Sequence, residues 1–163
     1  MATVAHLVAG ARSITVNDPQ QRSYPATIVA IDVNRDAAVL RLTGFAAPGA
    51  TLRPLRSGEH GSFFAFGGAR AQLWSFTVKR AVGILGEDIY RRGQHLRPGY
   101  ELRAQVVSGD SGAGLVALDG SLGGLVWAQS RNVEGTGWGI SIDVISDLLR
   151  SVGRQPAAAV ACR

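Results

Sequence analysis

Residues 108–114 read Ser108-Gly109-Asp110-Ser111-Gly112-Ala113-Gly114, a glycine-bracketed serine between two apolar pairs, Val106-Val107 and Leu115-Val116. A serine hydroxyl is a weak nucleophile at its own pKa and needs a neighbouring base and room for an incoming carbonyl. Gly109 and Gly112 leave that room. They also free the backbone for a tight turn in which the N–H groups of Gly109 and Ser111 converge on a developing oxyanion. The same composition suits a plain surface turn between two strands, because Gly, Asp and Ser dominate turns for local reasons. A base and an orienting carboxylate elsewhere in the chain would favour the first reading.

Working outward, short alternating segments separated by turn residues, with 21 glycines in the chain, predict a β-rich fold. Candidate strands fall at Arg12–Val16, Tyr24–Ile31, Ala38–Leu42, Thr51–Leu55, Ser62–Phe66, Leu73–Leu85, Tyr100–Val107, Gly114–Ala117, Leu122–Ala128 and Trp138–Ile142. One helix is predicted near the end. Ile145, Leu148, Leu149 and Val152 recur at helical spacing, Ser141 or Asp143 can cap the start, and Gly153 follows. The polar stretch Arg56-Ser57-Gly58-Glu59-His60-Gly61 divides the strands into two groups and is read as the joint between two β-barrels. The expected organisation is therefore 1–56 as an N-terminal barrel, 57–153 as a second barrel with its closing helix, and 154–163 as an extended tail.

At 163 residues and 46% hydrophobic content, the chain can bury one domain's core. Its longest uncharged apolar stretches are about ten residues, short of the ~20 a membrane helix needs. Met1-Ala2-Thr3-Val4-Ala5 has neither the basic start nor the cleavage pattern of a signal peptide. The net charge of +5 comes almost wholly from arginines scattered singly, concentrated only at Lys79-Arg80 and from Arg91 to Arg103. That distribution argues against nucleic acid as a partner and for a solvated basic face or a loop attracting acidic groups.

The chain has three histidines, His6, His60 and His95. His6 follows Thr3-Val4-Ala5 at the end of an apolar strand and before a turn, where a side chain can enter a cleft; a structural role there is the alternative. His60 and His95 read as exposed loop residues. For the carboxylate, Asp36 heads the apolar run Ala37-Ala38-Val39-Leu40, and an acid so placed must be paired or hydrogen-bonded. The alternative is a turn aspartate bonding its own backbone, which Asp32 fits better.

In that order, Thr3-Val4-Ala5-His6, Asp36-Ala37-Ala38-Val39-Leu40 and Gly109-Asp110-Ser111-Gly112 resemble the three signatures of trypsin-like, chymotrypsin-fold serine proteases. Ser62-Phe63-Phe64-Ala65-Phe66-Gly67-Gly68 and Gly137-Trp138-Gly139-Ile140-Ser141 are similar to the bacterial, HtrA-like branch, including membrane-anchored actinobacterial members. The resemblance implies an all-β fold of two antiparallel six-stranded-type barrels, the first incomplete, with a C-terminal helix. It implies a serine endopeptidase acting on proteins or peptides without a cofactor or metal. Ser111 would be the nucleophile, His6 the base and Asp36 its orienting acid, with the Gly109 and Ser111 amides as the oxyanion hole.

The resemblance further implies a specificity pocket built from Gln105, Val107, Ser108, Trp127, Ala128 and Gln129. Gln105, six residues before Ser111, stands where selection of basic residues would require an acid, so small or medium apolar residues are expected at the cleaved position. The family has strands before the histidine, and only five residues precede His6. The expectation is an N-terminally truncated chain whose complete form is extracytoplasmic, either exported or membrane-anchored. Cys162, the lone cysteine, would pair with one in the absent part; a free surface thiol is the alternative. A non-catalytic chaperone or binding module of the same fold is the competing function.

Overall fold

The computed structural model describes residues 1–65 and 72–153. The first unit is a four-stranded antiparallel sheet in the order β1-β4-β3-β2. Its strands are β1 (Ala2–Thr3), β2 (Ile14–Asn17), β3 (Ser23–Asp32) and β4 (Ala37–Leu42). The second is a closed antiparallel barrel in which β10 and β9 also pair. It comprises β5 (His60–Ala65), β6 (Gln72–Glu87), β7 (Gln94–Arg103), β8 (Gly114–Ala117), β9 (Leu122–Gln129) and β10 (Thr136–Ser141). Closure leaves the barrel without a free edge, whereas the sheet exposes two. Helix α1 (Ile142–Ser151) ends the described chain. This is the chymotrypsin-like plan expected, with the first barrel incomplete.

Several expected elements move. Thr51–Leu55 forms no strand and touches the barrel through one parallel bridge, Leu52 to Leu122. Strand β7 begins at Gln94 and stops at Arg103, because its partner β10 runs out at Thr136. Beyond it Ala104 N–H donates to the Gly135 carbonyl, and the chain turns toward the serine loop. His60 starts β5 and His95 lies in β7, so neither is a loop residue. His6 sits on a single 3₁₀ turn, Ala5–Leu7, and not at a strand end. Phe66–Gly68, Cys162 and the tail 154–163 lie outside the described residues.

Three apolar clusters explain the arrangement. Phe63, Phe76, Val78, Tyr100, Leu102 and Leu115 fill the barrel. Ala5, Val8, Ala26, Ala38 and Leu40 fill the sheet's inner face. Between them, Val4, Ala37, Val39, Leu125, Ile140, Ile142 and Ile145 form one continuous core. Burying aliphatic side chains removes about 1.5–3 kcal/mol each of unfavourable hydration, which welds sheet, barrel and helix together. Within that core, Val4 precedes the His6 turn, Ala37 follows Asp36, and Leu125 precedes Trp127. The helix starts where expected, with Ser141 as N-cap accepting from Asp143 N–H at 3.3 Å. The long β6–β7 hairpin crosses toward the sheet, where Ile89 N–H donates to the Val33 carbonyl at 3.2 Å.

Candidate active site

The acid is built first. Asp32 closes the turn after β3 by accepting from the Asn34 and Arg35 amides, as a turn aspartate should. The chain leaves that turn through Asp36 at φ 57°, a left-handed conformation that aspartate tolerates better than most residues. Asp36 is thereby buried at the head of β4 with both carboxylate oxygens engaged. Oδ1 accepts the His6 main-chain N–H at 2.8 Å, and Oδ2 pairs with the His6 ring Nδ1 at 2.7 Å. The His6 side chain retains 37% of its exposure while the acid's retains 6%, so one nitrogen is anchored and the ring's far side faces outward. Its Nε2 has no hydrogen bond among the described residues.

The barrel supplies two further partners to the same acid. The Trp127 indole N–H donates to Asp36 Oδ2 at 2.8 Å, and the Arg97 guanidinium Nη1 lies 3.9 Å from that oxygen. Burial alone would push the Asp36 carboxyl up. The hydrogen bonds and charge of His6, with the indole bond, outweigh burial and hold it below the ordinary carboxylate value.

The serine loop follows from its glycines. Gly109 and Gly112 adopt φ values of 102° and 86°, which a side chain would strain. A Cβ on Gly112 would also come within 2.7 Å of Thr3 Oγ1 and 3.4 Å of Leu7 Cδ1. The Ser111 turn therefore presses directly against the His6 segment. Gly112 N–H donates to the Val126 carbonyl, Ala113 N–H to the Asp110 carbonyl, and Asp110 N–H to the Val107 carbonyl. The fully buried Asp110 accepts Val107 N–H on Oδ2 at 2.8 Å, while its Oδ1 has no partner among the described residues. By contrast, the Gly109 and Ser111 amides donate to nothing among the described residues. The Ser111 hydroxyl donates to the Trp127 carbonyl at 3.1 Å. Ala113 and Gly114 pack without conflict: Ala113 rests on the barrel core, and Gly114 leaves room for Leu122.

Of the expected pocket residues, Val107, Ser108 and Trp127 flank this loop in sequence or hydrogen bonding, Ala128 follows Trp127 on β9 opposite Trp138, and Gln129 ends β9 at the surface. Gln105 lies on a shallow recess of about 440 Å³ with His60, Thr77 and Arg103, which none of the other five lines. Arg97 falls within the basic stretch from Arg91 to Arg103, where the sequence alone singles out no residue. It is 0% exposed, whereas its neighbour Leu96 is 65% exposed. Nothing in the local pattern distinguishes it, because its burial comes from the hairpin crossing to the sheet. Lys79 and Arg80, the other basic pair, are both bonded to Glu101.

Residues 1–125 match the family described as trypsin-like peptidase domain. The serine protease Rv3671c of Mycobacterium tuberculosis is 28% identical, over 98% of this chain and 41% of its own length. The chain thus spans about two-fifths of that curated relative. The crystal structure of the Rv3671c protease in its active form superposes with a TM-score of 0.89 over 99% of this chain and 73% of that one, at 28% identity. The HtrA-type protease AlgW with tripeptide shares the fold, with a TM-score of 0.79 over 93% of this chain and 51% of that one, at 24% identity.

Proposed function

This chain belongs to the trypsin-like peptidase domain family, and from that membership we propose that it is a serine endopeptidase working through Ser111, His6 and Asp36. The observation that carries the assignment is the two-point hold of Asp36 on His6, main-chain N–H to one oxygen and ring Nδ1 to the other. That hold selects the tautomer with its proton on Nδ1, leaving Nε2 as an acceptor. For attack, the Ser111 hydroxyl leaves the Trp127 carbonyl and donates to His6 Nε2. The oxygen adds to the scissile carbonyl as its proton passes to the imidazole. Negative charge then develops on the carbonyl oxygen, where the unengaged Gly109 and Ser111 amides are the available donors. The imidazolium returns its proton to the leaving amine, giving an acyl-enzyme. Water, deprotonated by the same imidazole, releases the acid and restores the serine.

We read 1–56 and 57–153 as two halves of one peptidase domain, with cleavage after small or medium apolar residues. Val107, Ser108, Trp127, Ala128 and Gln129 would border the substrate; Gln105, six residues before Ser111, is uncharged but lines a separate recess. The substrate would be a protein or peptide and not nucleic acid. The complete protein would act outside the cytoplasm, where a cysteine such as Cys162 is stable as a disulfide. Among the described residues no helix is long and apolar enough to cross a membrane.

A fluorophosphonate probe tests the assignment. Labelling that disappears in Ser111→Ala is expected, with peptide turnover reduced by about 10⁶-fold. One observation favours a second reading: the serine hydroxyl is bonded to a carbonyl instead of the base. A folded protein that never labels would replace the peptidase with a non-catalytic binding module.

A further inference from the structure

Three features around Asp36 are not needed for the chemistry above. Trp127 touches both ends of the site: its indole N–H donates to Asp36 Oδ2 at 2.8 Å, and its main-chain carbonyl accepts the Ser111 hydroxyl at 3.1 Å. The Arg97 guanidinium stacks on the Trp127 ring, 4.5 Å from its centroid. On the ring's margin, a Cβ at Gly86 would fall 3.3 Å from Trp127 and 3.4 Å from Arg97, so β6 leaves the ring and guanidinium little freedom to shift that way.

Arg97 is an expensive residue to place there. It is 0% exposed, and among the described residues its guanidinium makes one hydrogen bond, from Nη2 to the Glu87 carbonyl at 2.7 Å. Nε and Nη1 have no hydrogen-bond partner among the described residues. A buried charge so sparsely satisfied costs stability, and an apolar residue of similar volume would commonly do as well or better. Packing alone therefore does not account for a guanidinium at this position. Its surroundings do: it clamps the indole that grips Asp36, and it stands 3.9 Å from the same carboxylate oxygen.

We propose that Trp127, buttressed by Arg97, is a positioning residue that locks the Asp36 carboxylate and the Ser111 loop into one rigid unit spanning sheet and barrel. The proposal rests on the triad reading and deepens it. An aromatic side chain on β9 reaches the acid, and a buried cation on β7 fixes the ring, so the indole is spent on orientation.

Peptide turnover and fluorophosphonate labelling in the wild type, Trp127→Phe, Arg97→Met and Arg97→Lys test this. Trp127→Phe keeps an aromatic ring and the main-chain carbonyl and deletes the donor to Asp36. A fall in kcat of about 10- to 100-fold with KM within about twofold is expected, the worth of one hydrogen bond to a charged group. Arg97→Met should lower kcat in the same manner, and Arg97→Lys should recover part of the loss. If Arg97→Met does not fold, Trp127→Phe decides alone, with circular dichroism confirming its structure. Unchanged kcat in Trp127→Phe overturns the proposal, as does a raised KM at constant kcat, which would make the indole a substrate contact. Both outcomes leave a labelled wild type and the peptidase assignment intact; a wild type that never labels removes both.

Discussion

Asp36, on the open sheet, stands in a left-handed backbone conformation and is steadied by side chains from elsewhere: His6 from the 3₁₀ turn, Trp127 from β9 and Arg97 from β7. Ser111, on the closed barrel, sits in a loop whose flanking amides are bonded within the barrel itself, to Val126, Asp110 and Val107. The acid takes two bonds from His6 in its own unit and two contacts, from Trp127 and Arg97, that cross from the barrel, whereas the serine loop's main-chain bonds are internal to the barrel. The difference teaches where the site is vulnerable. A change that leaves both units folded can still disconnect Asp36 and His6 from Ser111, whereas displacing Ser111 requires disturbing the barrel.

The sharpest way to break this comparison is Asp36→Asn, which preserves shape but removes the charge that sets the His6 tautomer. Turnover should fall by about 10⁴-fold while the barrel's thermal transition stays in place, and peptide assays with calorimetry would read both. A variant that lost activity only in proportion to lost folding would show that the sheet does no more than support the barrel.

The converse change is Leu115→Ala, in the barrel core immediately after the serine loop, where Leu115 is 0% exposed. A cost of about 2–5 kcal/mol is expected by denaturant titration. Because β8 carries the loop directly, activity should decline with the folded fraction and not before it. Loss of turnover at full folding would mean that the loop depends on more than its own bonds.

The smallest effect is the acid linkage of Asp36. Its carboxyl is held below the ordinary value of 3.8, so its contribution to stability is complete above that value. It drains away as pH falls toward the lower folded-state value, because the unfolded chain takes up the proton first. The stability difference between wild type and Asp36→Asn should therefore be flat at neutral pH and shrink below about pH 3.8. A difference that instead changed near neutrality would point to another group.

Much of this arrangement was legible in the sequence. The candidate strands became β2, β3, β4, β6, β8, β9 and β10 within a few residues, and the helical spacing of Ile145 and Leu148 became α1. Strand β1 is two residues long and carries no periodicity to detect. Thr51–Leu55 bonds Leu122 of β9 through one bridge only; Pro54, with no N–H to donate, demotes the run as a strand. Asp36 could be distinguished from Asp32 by the apolar run directly after it, which has to be buried.

Residue order alone determined the chemistry available: a serine between glycines that tolerate positive φ, a histidine and an acid at the margins of apolar runs, and strand patterns that demand two layers. Those properties are local, arising from sterics and from which side chains water rejects. Only the tertiary structure decided that Arg97 is buried while Leu96 is exposed, that the Trp127 indole faces an acid 91 positions away in the chain, and that Gly112 abuts Thr3. Such pairings are made by the crossing of a hairpin over a sheet and by the closure of a barrel, long-range events that no window of neighbouring residues encodes.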